Sequence, residues 1–310
     1  MGKINKSNKK CIIKEHITKN KKMVPTLVKW AGGKKQLLKQ IEEFLPSRIE
    51  NYIEPFVGGG AVAFFILKKY SVKNVFISDI NKELVKAYQQ IKKNPKPLIK
   101  KLKEHKENHC KEYYYKVRSY DVNSLTDLEL IARFIYLNKT CFNGLYRVNS
   151  KGGFNVPMGD YKNPCVCSEE DLNEISNLLK NTTIKKMNFK EVLKYAKKGD
   201  FIYFDPPYHP LENSKSFTTY TKNNFIESDQ RDLANVFQTL DKRGCKVMLS
   251  NSDTPLIKEL YKKYNIHVLK ATRRINSNAK GRGKINEFLI TNYDSGSGKP
   301  KTTNGSSSKK

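Results

Sequence analysis

Residues 201–208 combine side chains that could hold a planar base in place for a reaction at its amine. Four apolar or aromatic residues end in Asp205, and Pro206 and Pro207 follow it. Neither proline can donate a hydrogen bond to a β-ladder, so a strand has to stop there. An Asp carboxylate and a prolyl carbonyl would then be fixed at a strand end beside the ring of Tyr208. Two acceptors and a stacking face suit a base whose exocyclic nitrogen attacks an electrophile.

A second segment, residues 52–60, predicts a strand that enters a glycine turn and then a helix. In doubly wound sheets such a turn lets a ligand approach the backbone closely. Asp79 ends the next predicted strand, where its carboxylate could accept hydrogen bonds from both hydroxyls of an adenosine ribose. The spacing Gly58-x-Gly60 is not that of the dinucleotide fingerprint. An ordinary tight strand–helix turn would account for these glycines equally well.

The elements that must position these residues alternate between strands and helices. The predicted strands are residues 52–56, 74–78, 183–187, 201–205, 246–250, 267–270 and 288–292, and the predicted helical stretches include 61–69, 82–92, 189–196, 228–240 and 255–264. The pattern predicts an α/β fold, with a Rossmann-like, mostly parallel sheet covered by helices on both faces. No helix separates the last two strands, so they are expected to form an antiparallel C-terminal hairpin.

The alternation breaks off between residues 95 and 182. A helix is predicted there over 127–138, and a long polar and aromatic loop follows over 140–164. A loop of that length inside a compact protein favours a functional role. We therefore expect a sheet domain built from residues 25–94 and 183–293 and an inserted, mainly helical domain over 95–182. Residues 1–24 and 294–310 are expected to be disordered basic tails.

The charge balance favours a polyanionic partner. Lys and Arg number 59 against 30 Asp and Glu, a net charge of +29, although a compositional bias towards lysine would produce part of this excess. No apolar run is long enough to span a bilayer, and no signal-peptide core follows the basic N-terminus, so a cytoplasmic protein is expected. The six cysteines lack the paired spacing of a zinc site and predict free thiols and no metal.

In their order along the chain, these motifs resemble those of the Dam-type DNA adenine methyltransferases (D12 class, alpha group). In that group the cofactor motif precedes the target-recognition segment, and the catalytic motif comes after both. The similarity covers residues 25–293 and rests on Lys29-Trp30-Ala31-Gly32-Gly33-Lys34, Glu54-Pro55-Phe56-Val57-Gly58-Gly59-Gly60, Asp79-Ile80-Asn81, Phe142-Asn143-Gly144-Leu145-Tyr146-Arg147, Phe154-Asn155-Val156-Pro157 and Asp205-Pro206-Pro207-Tyr208. Each motif is moderately specific, and the ordered set is very specific.

The resemblance implies methyl transfer from S-adenosylmethionine to N6 of a flipped adenine in double-stranded DNA, with GATC as the favoured site. The implied catalytic residues are Asp205, Pro206, Pro207 and Tyr208. The implied cofactor-binding residues are Trp30, Lys34, Glu54, Pro55, Phe56, Gly58, Asp79, Asn188, Phe189 and Asp205. The pair Asn188-Phe189 departs from the family, which often has an acid before this Phe, and this change is expected to affect cofactor affinity.

The loop at 140–164 takes the place of the family's target-recognition segment, which makes 95–182 the expected recognition domain. Arg147 is suited to a bidentate contact with guanine O6 and N7. Leu145 and Pro157 could contact a thymine methyl, and Asn149 and Tyr161 offer polar contacts. A solvated loop with a phosphate-binding Arg is the alternative. Arg274 is expected to contact phosphates, and a plain charged hairpin is equally compatible with residues 273–284.

Other activities of the same fold stay open at this point. N4-cytosine methyltransferases usually carry Ser in place of Asp205, and protein-glutamine methyltransferases carry Asn. A catalytically silent DNA-binding or cofactor-sensing protein is a third alternative. The expected partners are double-stranded DNA and a cognate restriction endonuclease system, with no membrane association. A monomer in the cytoplasm, associated with the nucleoid, is the simplest expectation.

Overall fold

The computed structural model describes residues 24–30, 32–149, 152–210, 225–272 and 284–294. Its strands are β1 Asn51–Glu54, β2 Asn74–Asp79, β3 Thr182–Lys186, β4 Phe201–Phe204, β5 Lys246–Ser252, β6 Asn265–Thr272 and β7 Lys284–Thr291. The α-helices are α1 Leu38–Glu42, α2 Ala61–Lys69, α3 Lys82–Lys93, α4 Lys96–Glu107, α5 Lys111–Arg118, α6 Asp127–Thr140, α7 Glu169–Leu178, α8 Glu227–Lys242 and α9 Pro255–Leu260. Short 3-10 helices span Lys34–Gln36, Phe142–Gly144 and Phe189–Lys194.

These strands form one sheet in the order β3-β2-β1-β4-β5-β7-β6. The first five strands in this order are parallel, and β7 lies antiparallel between β5 and β6. From β1 the chain builds outward through β2 and β3, and it then returns to the other side of β1 with β4. The strand order therefore reverses between β1 and β4, and the carboxyl ends of β2, β1 and β4 lie side by side. Open α/β sheets bind ligands at such a point.

The α/β fold expected from the sequence, with its antiparallel C-terminal hairpin, is confirmed. β6 and β7 run longer than predicted, because the two strands pair continuously from Asn265 opposite Thr291 to Thr272 opposite Lys284. The helical stretch expected over residues 189–196 is a short 3-10 helix, Phe189–Lys194. No helix among the described residues is both long and apolar enough to cross a membrane.

Both faces of the central strands are buried, as a parallel sheet between helices requires. Successive side chains of β4 enter opposite layers: Phe201 and Tyr203 pack on one face, and Ile202 and Phe204 pack on the other. This explains why β4 is a continuous apolar run instead of an alternating one. Helices α2 to α7 contribute to the first layer, and α8 and α9 contribute to the second.

The helices between residues 95 and 182 are packed onto the sheet layer. α6 and α7 both contact α3, and α4 and α5 contact α6. Buried side chains from this region, such as Leu98, Ile131 and Ile175, belong to the same apolar cluster as Ile77 of the sheet. The domain boundaries expected from the sequence stay a prediction. The two expected tails lie outside the described residues except for Val24 and Asp294.

The glycine turn after β1 gives a test of local packing. Gly60, before α2, has a φ of +77°, and a Cβ atom there would lie 2.5 Å from Phe64 and 2.8 Å from the Tyr88 hydroxyl. Gly60→Ala is therefore expected to lower the free energy of unfolding by about 3 kcal/mol, because the left-handed backbone and the crowding each cost about 1–2 kcal/mol. Urea unfolding followed by circular dichroism measures the loss.

Gly199→Ala is the matched control. Its φ is +88°, but a Cβ there meets no atom of the described residues within 4 Å. It should lose only about 1 kcal/mol, the conformational part of the cost. Equal losses in the two variants would contradict the packing account of Gly60.

Candidate active site and recognition loop

Three carboxyl side chains lie at one edge of the sheet, where the strand order reverses. Asp79 ends β2, Glu54 ends β1 and Asp205 directly follows β4. β1 pairs with both neighbours in register, Glu54 opposite Ile77 and Ile53 opposite Ile202. The sequence predicts each strand end separately, and the order of the strands makes them neighbours.

The glycine turn after β1 is bound to Asp79. One carboxylate oxygen of Asp79 accepts a hydrogen bond from the Gly58 N–H (3.1 Å), and the other accepts one from the Asn81 N–H (2.9 Å). A Cβ on Gly58, whose φ is +46°, would lie 2.7 Å from Cδ1 of Trp30, so the turn packs directly against this indole. Burial raises the pKa of Asp79 to about 6, although the backbone hydrogen bonds oppose the rise.

Glu54 lies at this edge between Asp79 and Asp205. Glu54 is buried, and its carboxylate accepts a hydrogen bond of 2.7 Å from the Tyr52 hydroxyl. Burial, together with the nearby charges of Asp205 and Asp79, raises the pKa of Glu54 well above its usual range. A carboxyl group in such surroundings favours a cationic ligand, because a positive charge would stabilise its ionised form.

Three phenylalanine rings next to Pro55, those of Phe56, Phe189 and Phe225, form an aromatic wall. The ring of Phe56 stacks on Phe189 with centroids 5.5 Å apart, and Phe225 packs against both rings. Asn188 is exposed and caps the 3-10 helix that begins at Phe189, since its side-chain oxygen accepts from the Lys190 N–H. The capping bond fixes the orientation of the Asn188 side chain.

Asp205 lies in an ion pair on the other side of Glu54. The Lys34 Nζ is 2.8 Å from Asp205 Oδ1 and lies 4.6 Å over the ring of Tyr208, and the lysine side chain is only 2% exposed. The Tyr208 hydroxyl donates to Glu287 of β7 (2.8 Å). Burial raises the pKa of Asp205 to about 6; Lys34 opposes this shift and Glu287 adds to it.

A buried polar network holds the chain after Asp205, and sequence reasoning missed it. The Gln230 side chain donates to the Pro207 carbonyl (3.0 Å) and accepts from Asn251 (2.9 Å). Asn251 accepts from the His209 N–H (3.2 Å), and the Ser252 hydroxyl donates to the His209 carbonyl (2.6 Å). The polar residues Asn251 and Ser252 at the end of the apolar strand β5 could have predicted such a network. Nothing in the sequence of α8 distinguishes Gln230 from its other polar residues.

The predicted loop is a folded hairpin-like segment. Isolated antiparallel bridges join Cys141 to Met158 and Val148 to Phe154. The Arg147 guanidinium donates from Nε to the Asn155 side chain (2.6 Å) and from Nη2 to the Asn155 carbonyl (3.1 Å). These bonds fix the plane of the guanidinium.

The other predicted recognition residues lie along the same segment. Asn149 closes its tip, where the side-chain oxygen accepts from the Gly153 N–H (2.9 Å). Leu145 is half-buried, Pro157 is exposed, and the Tyr161 ring lies 3.7 Å from the Lys29 Nζ. Phe142, which sequence reasoning gave no role, presents a large apolar side chain that is 51% exposed.

The structure brings the predicted residues into three neighbouring groups. Trp30 packs on the Gly58 turn beside Asp79, Lys34 pairs with Asp205, and the loop residues meet Trp30 through a stacked contact with Tyr146. Arg274, Ala31 and the tails, except Val24 and Asp294, lie outside the described residues, as does the stretch 211–224 that follows the predicted catalytic motif. Within the described part of the chain, no group of three or more His, Cys, Asp or Glu is placed to hold a metal ion.

Known proteins share this pattern along most of the chain. The family model of the D12 class N6 adenine-specific DNA methyltransferases matches residues 30–275. Type II methyltransferase M1.LlaDCHI of Lactococcus lactis subsp. cremoris is 44% identical over 283 residues, covering 89% of this chain and 98% of that protein. M.MjaIII of Methanocaldococcus jannaschii is 47% identical over 287 residues (87% and 99%). The DNA adenine methylase of Escherichia coli K12 is 35% identical over 264 residues (84% and 93%).

The raised pKa of Asp205 predicts a pH-dependent effect on stability. A folded-state pKa of about 6, above the usual 3.8, means that ionisation of Asp205 lowers the stability of the folded protein as the pH rises from 3.8 to about 6, and the loss is complete above pH 6. This effect is absent below pH 3.8. Asp205→Asn cannot ionise, so relative to wild type it should gain up to about 3 kcal/mol of stability between pH 4 and pH 7. Urea unfolding of both proteins at several pH values gives this difference. A constant difference, or a relative gain by wild type, would mean that the Lys34 ion pair outweighs burial.

Proposed function

This chain belongs to the D12 class of N6 adenine-specific DNA methyltransferases, and we propose that it methylates the adenine of GATC sites with S-adenosylmethionine as methyl donor. Its activity is methylation of adenine in DNA. Asp205 agrees with that activity, since N4-cytosine and protein-glutamine methyltransferases of this fold usually carry Ser or Asn there. The observation that carries the proposal is the Asp205-Pro206-Pro207-Tyr208 turn beside the glycine turn, at the reversal of the strand order.

The residues at the edge fit S-adenosylmethionine. Each Asp79 oxygen accepts one backbone N–H, and a second lone pair on each can accept from a ribose hydroxyl. The side chain of Ile80 is 52% exposed next to Asp79, and it offers apolar surface to an adenine ring. Trp30 and the aromatic wall bound the pocket, and Lys34 can hold a carboxylate.

The carboxyl groups supply the charge that this ligand needs. S-adenosylmethionine, when bound, supplies an electrophilic methyl group on a cationic sulfonium. Glu54 is buried and the Asp205 side chain is 19% exposed, and desolvation raises the pKa of both. A positive charge nearby would stabilise their ionised forms. We therefore assign cofactor contacts to Trp30, Lys34, Glu54, Pro55, Phe56, Gly58, Asp79, Asn188, Phe189 and Asp205.

The target adenine is proposed to bind in the turn after β4. Its N6 is hidden in a duplex, so the base must be flipped out at a cost of about a few kcal/mol. Asp205 and the Pro206 carbonyl would each accept a hydrogen bond from the amine, and the ring of Tyr208 would stack on the base. Lys34 occupies Oδ1 of Asp205, which assigns Oδ2 to the amine. Gln230 holds the Pro207 carbonyl and so keeps the turn rigid. Catalysis would then rest on positioning and electrostatics.

Recognition of GATC is assigned to the hairpin-like segment. Asn155 holds the Arg147 guanidinium in one plane, which suits a bidentate guanine contact worth about 1–3 kcal/mol. Leu145 and Pro157 would contact a thymine methyl, and Asn149 and Tyr161 would add polar contacts. Arg274 is proposed to contact phosphates. The net charge of +29 supports binding to the DNA backbone.

The setting of the enzyme is also part of the proposal. We place it with its DNA substrate in the cytoplasm, as a monomer that methylates each half-site in turn. A restriction endonuclease of the same specificity is the proposed partner, because two of the similar proteins are named type II methyltransferases.

The direct test is methyl transfer from labelled S-adenosylmethionine to two duplexes that differ only in GATC against GTAC. Label is expected on the GATC adenine alone, and Asp205→Ala should lower its rate by about 10²-fold or more, since it removes an acceptor of the amine. Equal labelling of both duplexes would overturn the assignment of the recognition loop and keep the chemistry. No label on either, despite cofactor binding, would contradict the proposed target.

A duplex in which the guanine of GATC is replaced tests Arg147, because GATC and GTAC carry the same guanine. Arg147→Ala is expected to reduce the preference for a duplex with the correct guanine by about 10-fold or more, the loss of one bidentate contact. Arg231→Ala is the matched control, because Arg231 is exposed on α8 and pairs with Glu227. It removes the same charge and should leave the preference unchanged.

A further inference from the structure

Asn138 joins two segments that are far apart in sequence. It lies near the end of α6 and is fully buried. Its side-chain oxygen accepts from the Lys29 N–H (2.8 Å), and its side-chain nitrogen donates to the Lys29 carbonyl (2.7 Å) and to the Gly144 carbonyl (3.0 Å). A single amide therefore pairs with the backbone at residue 29 as a strand would, and it also binds the start of the recognition loop.

The segment around residue 29 touches each part of the site. Leu27 donates to the Gly59 carbonyl (3.4 Å), Trp30 packs on the Gly58 turn, and Lys34 pairs with Asp205. Any shift of this segment therefore changes the proposed cofactor turn and the catalytic aspartate together.

The recognition loop fits tightly against the same segment. Gly144 has a φ of +64°, and a Cβ atom on it would lie 2.4 Å from the Cβ of Lys29. The Lys29 Nζ donates to the Lys139 carbonyl (3.0 Å) and lies over the Tyr161 ring. Displacement of the loop would leave the buried Gly144 carbonyl without its bond from the Asn138 amide, which is costly away from water.

We propose that Asn138 is a positioning residue that couples base recognition by the loop to the placement of Trp30 and Lys34. The inference rests on the proposed role of the loop in reading the DNA sequence. A cognate site that seats the loop keeps all three bonds of Asn138, and the cofactor turn and Asp205 stay in place. A wrong base displaces the loop, and the displacement reaches residue 29 through the shared amide. Coupling of this kind is reciprocal, so cognate DNA should also tighten binding of the cofactor product.

The experiment measures the dissociation constant of S-adenosylhomocysteine by calorimetry, without DNA, with a GATC duplex, and with a duplex changed at one base pair. Cognate DNA is expected to tighten binding to wild type at least five-fold more than the changed duplex does. In Asn138→Ala the two duplexes should tighten binding of S-adenosylhomocysteine by the same factor. Discrimination in kcat/KM between the duplexes should fall at least ten-fold.

Two further variants separate coupling from folding. Asn138→Asp keeps an acceptor for the Lys29 N–H but loses both donor bonds, and the same loss of coupling is expected. Ile135→Ala removes a buried apolar side chain from α6 without removing any of the three Asn138 bonds, and it should keep the coupling despite lower stability. Hydrogen exchange of wild type adds a measurement without mutation: residues 24–30 and 142–147 should gain protection together on cognate DNA only.

The proposal is overturned if wild type shows no coupling, if both Asn138 variants keep it, or if Ile135→Ala loses it equally. Arg147→Ala separates this failure from failure of the proposed function. If Arg147→Ala loses discrimination and the Asn138 variants keep it, the coupling role alone is wrong. If none of these variants changes discrimination, the loop does not read the sequence.

Discussion

The reversal of strand order between β1 and β4 is the constraint on which the rest of the site depends. Because β2, β1 and β4 are adjacent and parallel, their carboxyl ends lie side by side at this point, and each strand ends in or leads into a carboxyl residue: Asp79, Glu54 and Asp205. Burial raises the pKa of all three, so together they make an edge that is costly to ionise without a cation. Lys34 supplies one positive charge there, and a cationic cofactor is proposed to supply another.

The proposed recognition loop and the glycine turn at the sheet edge share one apolar layer. Phe154 and Val156 of the loop, Phe134 of α6 and Val57 of the glycine turn all belong to it. Trp30 lies between the glycine turn and Tyr146, and the Tyr146 hydroxyl donates to Glu83 of α3 (2.7 Å). DNA recognition and methyl transfer would therefore be linked through packed side chains, because a close-packed interior transmits small displacements.

The sequence predicted much of the fold because its strongest signals are local. Apolar runs that end in an acid and a proline or glycine turn located β1 and β4 to within two residues, and the long break in alternation located the loop at 140–164. The family motifs predicted adenine methylation, which the comparisons confirm, whereas GATC and the individual site residues stay predictions. Contacts between distant residues left no such signal. Lys34 is one lysine among many, and the polar residues Gln230, Asn138 and Glu287 acquire their partners only when the helices and strands pack.

Ionised carboxylates at this edge are proposed to hold the cofactor, and the most direct test is the affinity for S-adenosylmethionine as a function of pH. Because the pKa values of Asp79 and Asp205 lie at about 6, affinity should be constant from pH 8 to pH 7. It should weaken by about ten-fold or more per pH unit below pH 6 as the carboxylates take up protons. Asp79→Asn should bind weakly throughout and show a shallower dependence. An affinity that stays flat from pH 8 to pH 5 in wild type would contradict the account.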